Sequence, residues 1–182
     1  MALLANFNVQ KKSPVSSLEL KTENVQAGPL LQDSIDKDIL RGTMNADVQL
    51  RFAGDNAPAI KKSLNGSGNL TFLDGAIVGI DIAETGRALS QGLGYQKPAE
   101  KPTTDFAELK VPFTLTSGVF QTDDSLLLSP LLRVKALGTA NLVTEGLNMR
   151  VQPKIVGTLK GQGDTADRTG VTVPLVVKGT FT

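Results

Sequence analysis

Alternation with a period of two runs through most of this chain, and it is the feature that most narrows what the chain can fold into. In "RGTMNADVQLRF", Met44, Ala46, Val48, Leu50 and Phe52 fall on one side, and Thr43, Asn45, Asp47, Gln49 and Arg51 on the other. "FAELKVPFTL" sets Leu109, Val111, Phe113 and Leu115 against Lys110 and Thr114. "LRVKALGTANL" sets Leu132, Val134, Ala136, Gly138, Ala140 and Leu142 against Arg133, Lys135 and Asn141. After a turn at Thr144-Glu145-Gly146, "LNMRVQPKI" sets Leu147, Met149, Val151 and Ile155 against Asn148, Arg150, Gln152 and Lys154. "VTVPLVVKGTF" closes the series with Val171, Val173, Leu175, Val177 and Phe181. Side chains of a strand point alternately to two faces, so each run predicts a strand with one dry and one wet side. That is the signature of an antiparallel sheet; strands of a parallel sheet, buried on both faces, read as continuous apolar runs. Shorter runs predict further strands at 3–9, 17–27, 66–73, 75–79, 118–122 and 125–129, with Asp74-Gly75 closing a hairpin.

Three short helices interrupt the alternation. Pro29 opens the first, in which Leu31, Ile35 and Ile39 recur every fourth residue before Gly42. The second covers about residues 57–64, with Pro58 near its start, Ile60 and Leu64 on one side, and Asn65-Gly66 as a stop signal. The third opens at Asp81 with Glu84 three positions on, a variant of the capping box. Residues 91–105 have glycine, proline and lysine but no period, and predict a flexible loop. The fold expected is mainly β: a curved antiparallel amphipathic sheet, with two or three short helices over part of its apolar face, in one domain spanning residues 1–182. The chain starts inside a strand-like run and stops at "VKGTFT", which predicts a fragment of something longer.

Composition removes several functions. Nineteen basic residues are scattered and nearly balanced by acids, for a net charge of +1, which disfavours nucleic acid as a partner. The chain has no cysteine, so neither a disulfide framework nor a thiol nucleophile exists, and no histidine, the usual general base and commonest metal ligand. No apolar run approaches the roughly 18–20 residues of a membrane helix. With no tryptophan and one tyrosine, Tyr95, there is no aromatic girdle for a membrane barrel.

The remaining motifs read as scaffold. Ser34 and Lys37 match S-x-x-K, but the S-D-N and K-T-G elements of such acyl-transferases are missing, and both residues suit the wet side of a helix. Asp33, Asp36 and Asp38 lack the spacing of a calcium loop, and Asp123 and Asp124, adjacent on a strand, are expected on opposite faces. Gly66-Ser67-Gly68 and Gly161-Gln162-Gly163 lack the residues that follow in phosphate loops. Gly66 and Gly68 instead leave room on the side of Leu70 and Phe72, with the third helix as the expected neighbour. No catalytic residue, metal ligand or cofactor is expected.

The dry side poses a problem of area. Eight strands of about eight residues make a face of roughly 1,000 Å², and some 33 helical residues cover roughly 500 Å² of it. Either the sheet packs on itself, or further chain continues it, or an apolar ligand lies there.

"LNGSGNLTFLDGAIVGIDIAETGRAL" (64–89) resembles a signature stretch of the AsmA family: a Leu-x-Gly-x-Gly strand, a Gly-Ala-Ile turn and strand, and Gly-Ile-Asp-Ile opening a helix. "TDFAELKVPFTLTSGVFQTDDSLLLSPLLRVKALGTANLVTEGLNMRV" (104–151) is similar to the block that follows it there. The resemblance implies the C-terminal periplasmic part of a Gram-negative envelope protein anchored in the inner membrane. It also implies a role in outer-membrane biogenesis and kinship with bridge-like lipid-transfer proteins, whose sheet holds phospholipid tails. Phospholipid acyl chains and other envelope proteins are the partners it implies. On that footing the groove candidates are Leu109, Val111, Phe113, Leu115, Val134, Leu142, Leu147, Met149 and Val151.

Overall fold

The computed structural model describes residues 2–7, 15–29, 40–79, 102–130, 132–156, 172 and 174–180. They form strands β1 (Ala2–Phe7), β2 (Val15–Gln26) and β3 (Leu40–Ala53), a helix α1 (Ala57–Ser63), then β4 (Asn65–Val78), β5 (Thr103–Thr116), β6 (Val119–Leu128), β7 (Leu132–Asn141), β8 (Gly146–Ile155) and β9 (Leu175–Thr180). All nine strands lie in one sheet in sequence order, each antiparallel to the next, and the sheet does not close into a barrel. The mainly β, antiparallel class read from the alternation is therefore the observed one.

The register carries the alternation across the sheet. Met44 lies opposite Phe72 and Ala46 opposite Leu70. Phe72 lies opposite Leu109, Leu109 opposite Leu127, and Leu127 opposite Val134. The core cluster follows those rows: Ala27, Met44, Ala46, Val48, Phe72, Phe106, Leu127, Leu132 and Val134, each less than a tenth exposed. Complete burial of a Leu, Val or Phe side chain contributes about 1.5–3 kcal/mol, which makes these rows the main source of cohesion.

Three strands each carry one extra residue. β2 pairs Thr22 with Ala46 but Val25 with Met44, so Glu23 and Asn24 share the space of one residue. Asn24 takes a left-handed conformation (φ 56°), and its N–H donates to Asn45 Oδ1 at 2.8 Å. β4 pairs Leu73 with Thr43 but Ala76 with Arg41, and β6 pairs Thr122 with Gly138 but Ser125 with Ala136. Such bulges bend a strand and increase its twist.

Two expectations fall here. Asp74-Gly75 is not a hairpin but the bulge of a continuous β4. β4 keeps its pairing with β5 straight through this point, Leu73 opposite Glu108 and Gly75 opposite Phe106, and only Asp74 of the two has φ > 0 (48°), where a type I′ turn needs both. A Cβ on Gly75 would strike the Arg41 carbonyl oxygen, so glycine is required for the close approach of β3. Likewise 118–122 and 125–129 are one strand, bulged at Asp123-Asp124. The true hairpin is Ser117-Gly118 between β5 and β6, with φ of 50° and 77°.

Pro112, which has no N–H, sits in the middle of β5 where that bulge interrupts pairing with β6. Its carbonyl accepts the Thr122 hydroxyl at 2.7 Å.

Of the three expected helices, the second is present. The Asn56 side chain caps it by accepting the Ala59 N–H at 2.9 Å, Pro58 follows, and Lys61 and Lys62 lie in its last turn. It does not cover the core cluster, to which it contributes no residue. It lies at the strand ends, with Ala59 against Gly54 and the Ser63 hydroxyl accepting from Ala53 N–H. The Gly118 N–H donates to Leu64 O (2.9 Å), and Lys61 pairs with Glu145 (3.6 Å), which ties α1 to the β5–β6 hairpin and the β7–β8 turn.

The helical backbone at Ala27–Pro29 begins two residues before the Pro29 start expected for the first helix; its remainder, the whole third helix and most of the 91–105 loop lie outside the described residues. Thr103–Asp105 of that loop are strand.

Candidate functional site

The nine groove candidates come from three strands and a turn. Leu109, Val111, Phe113 and Leu115 stand on β5, Val134 on β7, and Leu147, Met149 and Val151 on β8. Cross-strand pairing links them in rows. One runs from Leu115 through Phe120 and Ala140 to Leu147, and another from Leu109 through Leu127 to Val134. Val134 (4% exposed) and Leu115 (8%) are buried; the other six strand residues are half-buried. Leu142 is set apart: β7 ends at Asn141, whose side-chain oxygen accepts the N–H groups of Val143 and Thr144 and turns the chain away. Leu142 sits in that turn, its N–H donating to Gly118 O at 2.9 Å.

The rows explain the glycines. Gly68 faces Phe113 in the register, and a Cβ there would come within 2.9 Å of the Phe113 ring, Val48 Cγ2 and Asp47 O. Phe113 stacks on Phe120 with centroids 5.1 Å apart. Above Gly68 stands an aromatic ring of the neighbouring strand, and above Gly66 stands Leu50; the third helix, the expected neighbour, lies outside the described residues. Gly66 and Gly68 lie inside β4, not in a loop, so they cradle no phosphate.

The polar groups on these rows were not foreseen. Ser16, Thr22, Thr104, Thr122 and Ser125 are the buried polar residues among those described; no charged residue is buried there. Thr122 and Ser125 share a hydrogen bond of 2.7 Å between their hydroxyls. The Thr22 hydroxyl is buried with no partner. Thr22 and the Thr122–Ser125 pair flank two of the bulges, and the signal for both is a polar doublet, Glu23-Asn24 or Asp123-Asp124, across which the alternation changes phase.

That phase change corrects the reading of Asp123 and Asp124. The bulge leaves both on the wet side, where with Asp47, Gln49 and Gln121 they line one shallow hollow. The Gln121 side chain donates to both Asp123 oxygens at 3.1 Å, and Lys135 stands 3.9 Å from Asp124. Among the described residues no group of three or more acidic, histidine or cysteine side chains could hold a metal ion. Ser34, Lys37, the aspartates 33, 36 and 38, and Gly161 and Gly163 lie outside the described residues.

The model of the AsmA family matches residues 4–125, from β1 into the bulge of β6. No curated protein and no solved structure matches the chain. At family level the match points to an envelope protein acting in outer-membrane assembly or lipid transport, and the family is not known as one of enzymes. No helix among the described residues is long and apolar enough to cross a membrane. With more than half of its length matched, the chain belongs to the AsmA family.

Proposed function

We propose that the aliphatic rows of this sheet form a groove for phospholipid acyl chains, in a protein that works in the periplasm, tethered to the inner membrane, and passes lipid toward the outer membrane. One observation carries the reading: the rows run from β2 to β9 with hydroxyls as their only buried polar groups and no buried charge among the described residues. An acyl chain offers neither hydrogen bonds nor charge, so a lining without either lets it slide, whereas a buried charge would cost several kcal/mol to desolvate. The half-buried Leu109, Val111, Phe113, Leu147, Met149 and Val151 are the lining; Leu115 and Val134 are its floor.

The protein purified from a Gram-negative host is expected to release phospholipid on extraction, read by mass spectrometry. Met149→Glu, at a half-buried position, is expected to abolish that lipid with an unchanged far-UV circular dichroism spectrum. A folded protein free of lipid, or lipid retained in Met149→Glu, overturns the groove. A second reading, a scaffold that touches other envelope proteins, is favoured by β9, an edge strand of the sheet with Val176 and Val177 exposed. Crosslinking from Val176 to a protein, with no lipid recovered, selects it.

A further inference from the structure

Charge on the wet side of the sheet is unevenly shared. β2, β3 and β5 each carry both acids and bases, β4 and β6 carry acids alone, and β1 carries neither. β7, β8 and β9 carry Arg133, Lys135, Arg150, Lys154 and Lys178 and no acid at all. The residues between β8 and β9 do not redress this in sequence, because Lys160 and Arg168 offset Asp164 and Asp167. All five cations are exposed. Lys135 has Asp124 at 3.9 Å, a contact with both side chains largely in solvent. Arg133 and Lys154 are direct cross-strand partners. Like charges placed opposite each other oppose pairing of their strands, yet this sheet keeps them in register. The next two wet-side rungs set Lys135 opposite Gln152 and Leu137 opposite Arg150, and Arg150 is opposite Val176 on β9. Leu137 (37% exposed) and Val176 (58%) therefore flank Arg150 on the same surface.

We propose that the wet side of β7–β9 docks on an anionic phospholipid bilayer, with Arg133, Lys135, Arg150 and Lys154 against headgroup phosphates and Leu137 and Val176 at the headgroup–acyl boundary. The charge is complementary to such a surface, and cations around exposed aliphatic side chains are the pattern of proteins that rest in a membrane interface. The site lies on the side of the sheet opposite the aliphatic rows and does not depend on the groove.

The test is co-sedimentation of the 182-residue chain with vesicles of phosphatidylcholine alone or mixed with phosphatidylglycerol. Binding is expected only to the mixed vesicles, and is expected to vanish near 1 M salt, where the screening length falls to about 3 Å. Each of Arg133→Gln, Arg150→Gln and Lys154→Gln should weaken binding about five-fold, while Arg51→Gln, an exposed cation on β3, should not. Lys154→Glu sets a second readout: it converts the like-charge pair to an ion pair, so it should raise the unfolding midpoint while weakening vesicle binding. Equal binding to neutral vesicles, failure to bind the mixed ones, equal binding to a soluble polyanion, or Lys154→Glu binding undiminished would each overturn the proposal.

Discussion

Two threonines on the same side of the sheet carry opposite energetic signs. The Thr22 hydroxyl is buried with no partner, whereas that of Thr122 bonds to Pro112 O and to Ser125. An unpaired buried hydroxyl costs about 1–3 kcal/mol, and removing a paired one leaves its buried partners unsatisfied at a similar cost. Thr22→Val, nearly isosteric, should therefore stabilise the chain by about 1 kcal/mol, and Thr122→Val should destabilise it by about 1–3 kcal/mol. Urea unfolding checks both, as midpoint shifts of opposite sign with an unchanged slope. Neither residue could be weighted from sequence: threonine is common on both sides of strands, and only the bulge decides that Thr122 and Ser125, three apart, share a side. The neighbours of Gly66 and Gly68 were likewise hidden. The alternation placed them beside Leu70 and Phe72, but which side chain fills the gap depends on register with β3, which supplies Leu50 and Val48, and with β5, which supplies Phe113.

At the scale of elements, the bulges are where reading by period stops working. Two of the three bulges fall on a polar doublet, Glu23-Asn24 and Asp123-Asp124, and the third on Asp74-Gly75. Without a register, Asp74-Gly75 and Asp123-Asp124 look like turns between short strands. The structure turns this into an experiment on length. Deleting Asp124 leaves Thr122, Asp123 and Ser125 in simple alternation, so Leu127 stays on its row opposite Leu109 and Val134. Deleting Lys135 from unbulged β7 sends either Val134 or Ala136 and everything beyond it to the other side. The Asp124 deletion should keep a cooperative thermal transition, lowered by a few degrees; the Lys135 deletion should abolish it. Circular dichroism melting distinguishes them. The helix α1 was legible from Pro58, the Ile60–Leu64 spacing and Asn65-Gly66. Its place was not, because where a short helix lies is settled by long-range contacts such as Gly118 N–H to Leu64 O.

At the scale of the whole molecule, every strand pairs with its neighbours in sequence, and the core cluster draws on β3 through β7 and on Ala27 just after β2. Cohesion should then fall from the middle outward, as in repeat proteins where each unit touches only the next. Native-state hydrogen exchange is expected to show the slowest amides in β3–β6 and the fastest in β1 and β9, with β9, exposed at five of its six residues, opening well below the global unfolding free energy. Uniform protection across all nine strands would show that the sheet melts as a single unit. The class of the fold and the membership of most candidate residues in common rows were legible in the sequence, since both follow from the alternation alone. Leu142 was misplaced because alternation cannot see that Asn141 turns the chain.

The strand order has one more implication. Because no strand crosses another, a hairpin inserted between β8 and β9 would leave every pairing from β1 to β8 untouched and widen the sheet by roughly 10 Å, twice the interstrand spacing. The width of such a sheet is set by how many hairpins are written into the chain, so it is adjustable by duplication without redesign of what is already folded.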